Sequence, residues 1–537
     1  MASSSTIRSN SVTSSFTTTK VACVDLKKVP EPIHTGIGFL DHMMDQLNSH
    51  AQIGVGLTVH HHSDLSNLSG TKHKKTNNNN NNNGDDQKME ANNSNNNDKD
   101  SFEKNPNRLS QSDQTSLLRH VGWTLGCQVA LLNKFLSLSD DTTATSRFCC
   151  PLDEALVECI LTKPAKTTTT TTTTTQQKTA EEEDPSEGSS NKRRKLDHKN
   201  NTTDKKETTT TTTTSSKPIG SLVQYQLAPF GKYPKTTGRT KIGHLETAAI
   251  KAFWEAFAKS SGLQISLTKL RGDNGHHIVE STFKAFSRAM RNLLDGTNTT
   301  MAGGESFPHM WGKSSKNQKD SIALARVGSI SRATKETNID VSLKLNGTSE
   351  ATSIHTGIGT LDEFFTILAK EADMSLVIDC KGDLWVDDHH TAEDVAIAVG
   401  QVLTQALGTK AGLNRMWCAK QTVNNTTNNE EETIEVTMDL SNRPCLTHNL
   451  ALGEVQEELV GDLSVEMFDH VLDSLVVNGR MTVHIVRTTG GDDAGNSSLK
   501  DRAMATAAAF GRALKYCAMV DSRRAGKTAS SKGTLSV

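Results

Sequence analysis

TGIGFLDHMMD, Thr35 to Asp45, has a near copy in TGIGTLDEFFT, Thr356 to Thr366, where Glu363 stands in place of His42. Repetition of this kind decides the fold, because a segment that recurs with its neighbours in order marks a duplicated unit. The neighbours do recur. GLQISLTKLRGD (Gly262 to Asp273) has its counterpart in GRMTVHIVRTTGGD (Gly479 to Asp492), and the helical patterns that follow end alike, in AFSRAM and AFGRAL. A shorter repeat lies inside. HHIVESTFKAFSRAMRNLL (His276 to Leu294) and HHTAEDVAIAVGQVLTQAL (His389 to Leu407) both open on HHxxE and continue with apolar residues at helical spacing. Strand-like stretches, LQISLTKL and MSLVIDCKGDLWVDD, precede them. The pattern predicts an α+β fold of two tandem homologous domains, each an internal duplication of a sheet-plus-helices half with helices packed on antiparallel sheets.

A chain of 537 residues also exceeds the roughly 250 to 300 that one core organises. The expected boundaries are a disordered tail at 1–19, domain 1 at 20–296, a linker at 297–320 and domain 2 at 321–537. Low-complexity insertions interrupt domain 1 near 64–112, which holds the asparagine run Asn77 to Asn83, and near 165–217, which holds two threonine runs. Such segments bury too little apolar surface to offset their ordering entropy and are expected to be disordered. The basic stretch NKRRKLDHK (Asn191 to Lys199) lies in one of them and reads as a solvated charge run rather than a nuclear address.

A formal charge of -2 with mixed signs gives no electrostatic footprint for nucleic acid or an anionic membrane. No run is long and apolar enough to span a bilayer. Nine scattered cysteines with no CxxC read as reduced intracellular thiols, which predicts a cytoplasmic protein. The Ser/Thr-rich start lacks the apolar region of a secretory signal and keeps a plastid address as the alternative.

On a helix, residues i and i+4 share a face while i+1 turns about 100° away, so HHxxE aims its first His and its Glu together and its second His elsewhere. One motif thus offers ligands to two ions. Imidazole and carboxylate suit manganese, iron or zinc, and the lack of nearby cysteines argues against a thiolate site. The plainer reading, histidines capping a helix start, is outweighed by two motifs at matching places in a repeat.

TGIGFLDHMMD, GDLWVDDHHTAEDVAIAVGQ, ATKET, LSNRP, GDNGHHIVESTFKAFSRAMR and SSKGTL, in this order of role and spacing, resemble the imidazoleglycerol-phosphate dehydratase family. The resemblance implies a fold like the second domain of ribosomal protein S5 and a large homo-oligomer, by analogy twelve two-domain chains. It further implies two manganese ions at each site, the first on His42, His390, His276 and Glu280, the second on His389, Glu393, His277 and His470. The reaction implied is loss of water from imidazole glycerol phosphate in histidine biosynthesis, with Glu336 of ATKET as the catalytic carboxylate. Arg415, Arg443, Ser530, Ser531, Lys532 and Lys284 would bind the phosphorylated substrate.

Each domain keeps four of these eight ligand positions, and the two sets do not overlap. In domain 1 the first HHxxE slot aligns with Thr115, Ser116 and Arg119 and the later histidine with Ala252; in domain 2 the vacated slots hold Glu363, Lys500, Asp501 and Met504. Independent decay would seldom leave complementary halves. A two-sided interface site, one side kept by each domain, accounts for them, and sequence alone admits both a site within one chain and a site between neighbours. Two rivals stand beside this reading: a decayed metal-binding pseudoenzyme, and a two-metal hydrolase.

Overall fold

The computed structural model describes residues 16–21, 32–61, 109–135, 143–164, 168–174, 208–214, 222–296, 326–346, 351–423, 432–453, 457–488, 497–524, 527–530 and 535. The expected tail beyond its last few residues, the linker, Ser531, Lys532 and most of both insertions lie outside them.

One unit recurs along the chain. In the C-terminal half the strands β12 (Val327–Ala333), β13 (Thr337–Leu345) and β14 (Ser353–His355) lead into helix α5 (Gly359–Glu371), strand β15 (Met374–Gly382) and helix α6 (His389–Leu407). The sequence then repeats with β16 (Met416–Val423), β17 (Glu432–Asp439), β18 (Cys445–His448), a short β19–β20 ribbon (Leu459–Val460, Leu463–Ser464), α7 (Val465–Asn478), β21 (Thr482–Thr488) and α8 (Leu499–Ala518). Both sheets run first, second, fourth, third in strand order, and so does the sheet of β4 (Ala144–Leu152), β5 (Ala155–Lys163), β8 (Val223–Gln226) and β11 (Gln264–Arg271) in the N-terminal half. That sheet carries helices α3 (Thr247–Ser261) and α4 (Gly275–Leu294). The first sheet has three strands, β1 (Phe16–Val21), β3 (Leu57–His61) and β2 (Ile33–His34), with α1 (Gly38–Gln46) and α2 (Gln111–Phe135).

The expectation of antiparallel sheets is corrected. In each sheet the edge strand that precedes a helix pairs parallel with the strand that follows it, as in Ile354↔Ile378, Ile265↔Val223 and Leu446↔Val483. A helical crossover returns the chain in the same direction, so parallel pairing is the only outcome. The threonine runs also depart from expectation. Thr168–Thr174 and Thr208–Thr214 pair as an antiparallel ribbon, β6–β7, in keeping with the strand preference of a β-branched residue.

The TGIG segment explains its own repetition. Gly36 and Gly357 both adopt φ 85°, a conformation that favours glycine. Thr35 donates from its backbone N–H to Asp41 Oδ1 at 2.7 Å and from its hydroxyl to the same oxygen; Thr356 repeats both bonds to Asp362 at 2.8 and 2.6 Å. The motif builds the turn that starts a helix, so both copies needed it whether or not a histidine followed.

The two halves share one apolar core. Strand β4 lies against β16, β17 and β21. Across this seam Arg147 grips Glu435 through Nη1 and Nη2 at 2.5 and 2.9 Å, and Arg288 donates to the side chain and carbonyl of Asn414 at 2.6 Å each. The eight cysteines among the described residues are free. No helix among them is long and apolar enough to cross a membrane.

Candidate metal centre

Two histidine–carboxylate groups stand out, one in each half. His42 on α1 and His276 and Glu280 on α4 bring a ligand atom each within 4.8 Å of one another; His389 and Glu393 on α6 and His470 on α7 do the same. Each HHxxE motif supplies its first His and its Glu to the group, one helical turn apart as the spacing predicts. His276 Nε2 lies 3.1 Å from Glu280 Oε2 and His42 Nε2 3.6 Å from it. In the second group His389 Nε2 and His470 Nε2 lie 3.4 and 3.1 Å from the two oxygens of Glu393. Two imidazoles and a carboxylate converging from two helices suit a divalent ion of the manganese, iron or zinc kind.

Burial alone would raise the Glu280 carboxyl, but hydrogen bonds from His276 and His42 and the Lys284 ammonium hold it well below the usual carboxylate range. Lys284, expected on the substrate, is buried one turn along α4 with Nζ 2.8 Å from Glu280 Oε1. The pairing leaves this carboxylate ionised and oriented.

The second histidine of each motif stands outside both groups. His277 Nδ1 lies 2.7 Å from Glu154 Oε2, on the turn between β4 and β5. His390 Nδ1 lies 3.1 Å from Asp383 Oδ2, at the end of β15. The Asp383 hydrogen bond pushes the His390 pKa up against the opposing effect of desolvation, and the charge of Glu336 adds to the rise. Glu336, the expected catalytic carboxylate, is exposed in the turn between β12 and β13.

Arg443, expected on the substrate's phosphate, reaches across the chain's own seam. Arg443 Nε binds Asp153 Oδ1 at 2.8 Å, and Asp153 Oδ2 stands 3.7 Å from His277 Nε2. Arg415, expected on the phosphorylated substrate, is enclosed by protein partners. It is 3 % exposed, with Nε and Nη2 on Asp439 at 2.7 and 2.8 Å and Nη1 on the Ala529 carbonyl, because a buried guanidinium needs full pairing. It thereby ties Ser530 and the segment leading to Ser531 and Lys532 to the LSNRP loop.

The vacated positions have other partners. Glu363 pairs with Lys500 at 2.9 Å. Asp501 sits in a helix-start box with Ser498, whose hydroxyl accepts from the Asp501 N–H at 3.1 Å. Thr115 bonds the Gln111 carbonyl at 2.9 Å. Sequence reasoning passed over Gln46, fully buried, whose Nε2 lies 3.5 Å from His42 Nε2; its place one turn after His42 was the available signal. It also passed over Asp383, Asp153 and Glu154, which no metal-ligand spacing picks out.

A family model for imidazoleglycerol-phosphate dehydratase matches residues 220–290 and 356–514. Imidazoleglycerol-phosphate dehydratase 1, chloroplastic, of Arabidopsis thaliana is 38% identical over 222 residues, which cover 41% of this chain and 76% of that protein. The chloroplastic enzyme of Pisum sativum is 38% identical over 211 residues, covering 39% of this chain and 69% of the other. A crystal structure of the Staphylococcus aureus dehydratase aligns with 36% of this chain and 99% of its own at 25% identity and a TM-score of 0.30. The chain belongs to the imidazoleglycerol-phosphate dehydratase family, a family of hydro-lyases.

Proposed function

We propose that this chain dehydrates imidazole glycerol phosphate to imidazole acetol phosphate in histidine biosynthesis, at two-metal sites assembled from its two tandem domains on different copies of the chain. The carrying observation is the division of the ligands. His42, His276 and Glu280 form one group in domain 1, His389, Glu393 and His470 the other in domain 2, and neither group includes the fourth ligand that the family pattern assigns to it, His390 or His277. Three shared sheet orders support the tandem reading.

The donor set fits divalent ions, and the resemblance favours manganese. When bound, two such ions would stabilise negative charge on the substrate's imidazole ring. His42, His276, Glu280 and His390 would hold one, His389, Glu393, His470 and His277 the other. Glu336, whose charge acts on His390, would take the proton from the carbon next to the one that loses its hydroxyl. The hydroxyl departs as water, and the resulting enol becomes the ketone. Arg443 would orient the phosphorylated chain, with Lys532 and Ser531 of the SSKG segment completing the phosphate contacts and Arg415 anchoring that segment, while Lys284 braces Glu280 from within α4. An arginine fork grips a phosphate by two parallel hydrogen bonds, which fixes the reacting carbons over the ring site.

Domain 2's Arg443 meets domain 1 at the chain's own seam through Asp153, which also faces His277, whereas Glu336 and His390 belong to the first sheet-and-helix half of domain 2. Completion by a neighbour therefore suits an assembly of twelve chains in place of twenty-four single-domain subunits, with half the interfaces bearing sites. Turnover of imidazole glycerol phosphate by the purified, manganese-loaded chain tests the activity. Manganese binding without turnover would instead favour the decayed homologue.

A further inference from the structure

His277 and His390, the two histidines that stand outside the ligand groups, share one feature: a carboxylate on Nδ1. Glu154 Oε2 lies 2.7 Å from His277 Nδ1, and its Oε1 accepts from the backbone N–H of Asn274 at 2.9 Å, which fixes Glu154 against the start of α4. Asp383 is 6 % exposed, with both oxygens, at 3.1 and 3.3 Å, on His390 Nδ1. Such a partner sets the tautomer. An Nδ1–H held on a carboxylate leaves the lone pair on Nε2 and fixes the ring's direction. The histidines inside the groups are held differently, by their shared Glu280 or Glu393.

The two carboxylates come from unrelated places. Asp383 ends the strand before its helix, whereas Glu154 comes from the neighbouring hairpin turn of PLDEAL, a stretch with no counterpart in the C-terminal half, where KQTVNNTTNNEEET stands. That asymmetry now has a physical reason. Helix α4 keeps its second histidine, while the equivalent helix α8 has Asp501 in that slot, engaged with Ser498 and in no need of an acidic turn.

We propose that Glu154 and Asp383 are positioning residues that present Nε2 of His277 and His390 to metal ions whose other ligands lie on the opposite domain of a neighbouring copy. The inference rests on the two-metal reading above. Its mark is a crossed effect: a change in domain 2 weakens the ion of domain 1's group, and the reverse. A merely structural role would disturb the local group instead, because Glu154 also braces the turn that carries His276.

Manganese titration of the assembled full chain, followed by electron paramagnetic resonance, separates these. His470→Ala leaves only the ion on His42, His276, Glu280 and His390, and His42→Ala leaves only the other. In the His470→Ala chain, Asp383→Asn is expected to weaken manganese binding by roughly 10- to 100-fold while Glu154→Gln has no effect; in the His42→Ala chain the pattern reverses. Loss caused by Glu154→Gln in the His470→Ala chain, or no loss from either variant in any background, would overturn the inference and leave the two-metal reading intact. Absence of tight manganese binding in the wild-type chain would remove that reading itself.

Discussion

Lys500 Nζ stands 2.9 Å from Glu363 Oε2, and these two side chains occupy the helix positions that His276 and His42 hold in the N-terminal half. Where one half gathers two imidazoles around a carboxylate, the other supplies an ammonium. The pair is about half exposed, so its energetic worth is small. Lys500→Ala is expected to change stability by less than about 1 kcal/mol and to leave turnover and metal content unaltered. A complementary gain is expected from Glu363→His, Lys500→His and Met504→Glu together, which rebuild a third ligand group. Metal analysis of the purified triple variant should show more manganese per chain than wild type; an unchanged content would argue that these positions are not equivalent.

Ligand loss behaves differently. His42→Ala and His389→Ala each remove one ligand and should each lower turnover by more than the ~100-fold typical of losing an outer partner. Thr115→Ala, at the corresponding vacated slot, should leave it within about twofold. Steady-state assays of the three variants check this, and activity surviving either histidine change sinks the account of the site.

The seam between the halves depends on a buried ion pair. Arg147 and Glu435 side chains are 10% and 8% exposed. Removing only this cation leaves Glu435 with Lys420, 3.6 Å away, and takes the Arg147 bond from Glu158, so Arg147→Met is expected to cost about 3 kcal/mol, read as a fall in the thermal midpoint. Loss of metal from the sites is expected to follow the loss of the seam, not to precede it.

Acid sensitivity has a local source in His484. Burial, with a smaller contribution from Arg271, lowers its pKa from 6.5 to about 4, although the Nε2–H bond to the Asp153 carbonyl opposes the shift. Between those values the unfolded chain binds a proton that the folded chain refuses. Stability is therefore full above pH 6.5 and falls as pH drops toward 4, by about 3 kcal/mol from this group alone. In chelator-treated protein, His484→Gln should be less stable at pH 7 but lose less between pH 6.5 and 4.

The repeat was legible because its rules are local: a glycine at positive φ, a threonine locked to an aspartate six residues on, and a helix that follows. Two members of each histidine–carboxylate group were legible because HHxxE at helical spacing puts its first His and Glu on one face. Other features depended on distant partners. Nothing near Arg415 in sequence announces Asp439 or the Ala529 carbonyl, and nothing near His277 announces Glu154. Parallel pairing at the sheet edges followed from helical crossovers that alternation along one strand does not encode. The proposed division of ligands between copies rests on His277 and His390, which stand outside both groups with carboxylates on Nδ1, a pairing that no spacing in the sequence announces.

That division is tested most directly by co-assembling two inactive chains, His42→Ala and His389→Ala. If a site takes domain 1 from one copy and domain 2 from another, mixed assemblies contain some sites with both sides intact, and turnover should return to about a quarter of wild type. If both sides come from one chain, every site carries a missing ligand. Turnover that stays at the level of the separate variants, in assemblies verified to contain both chains, would contradict the account.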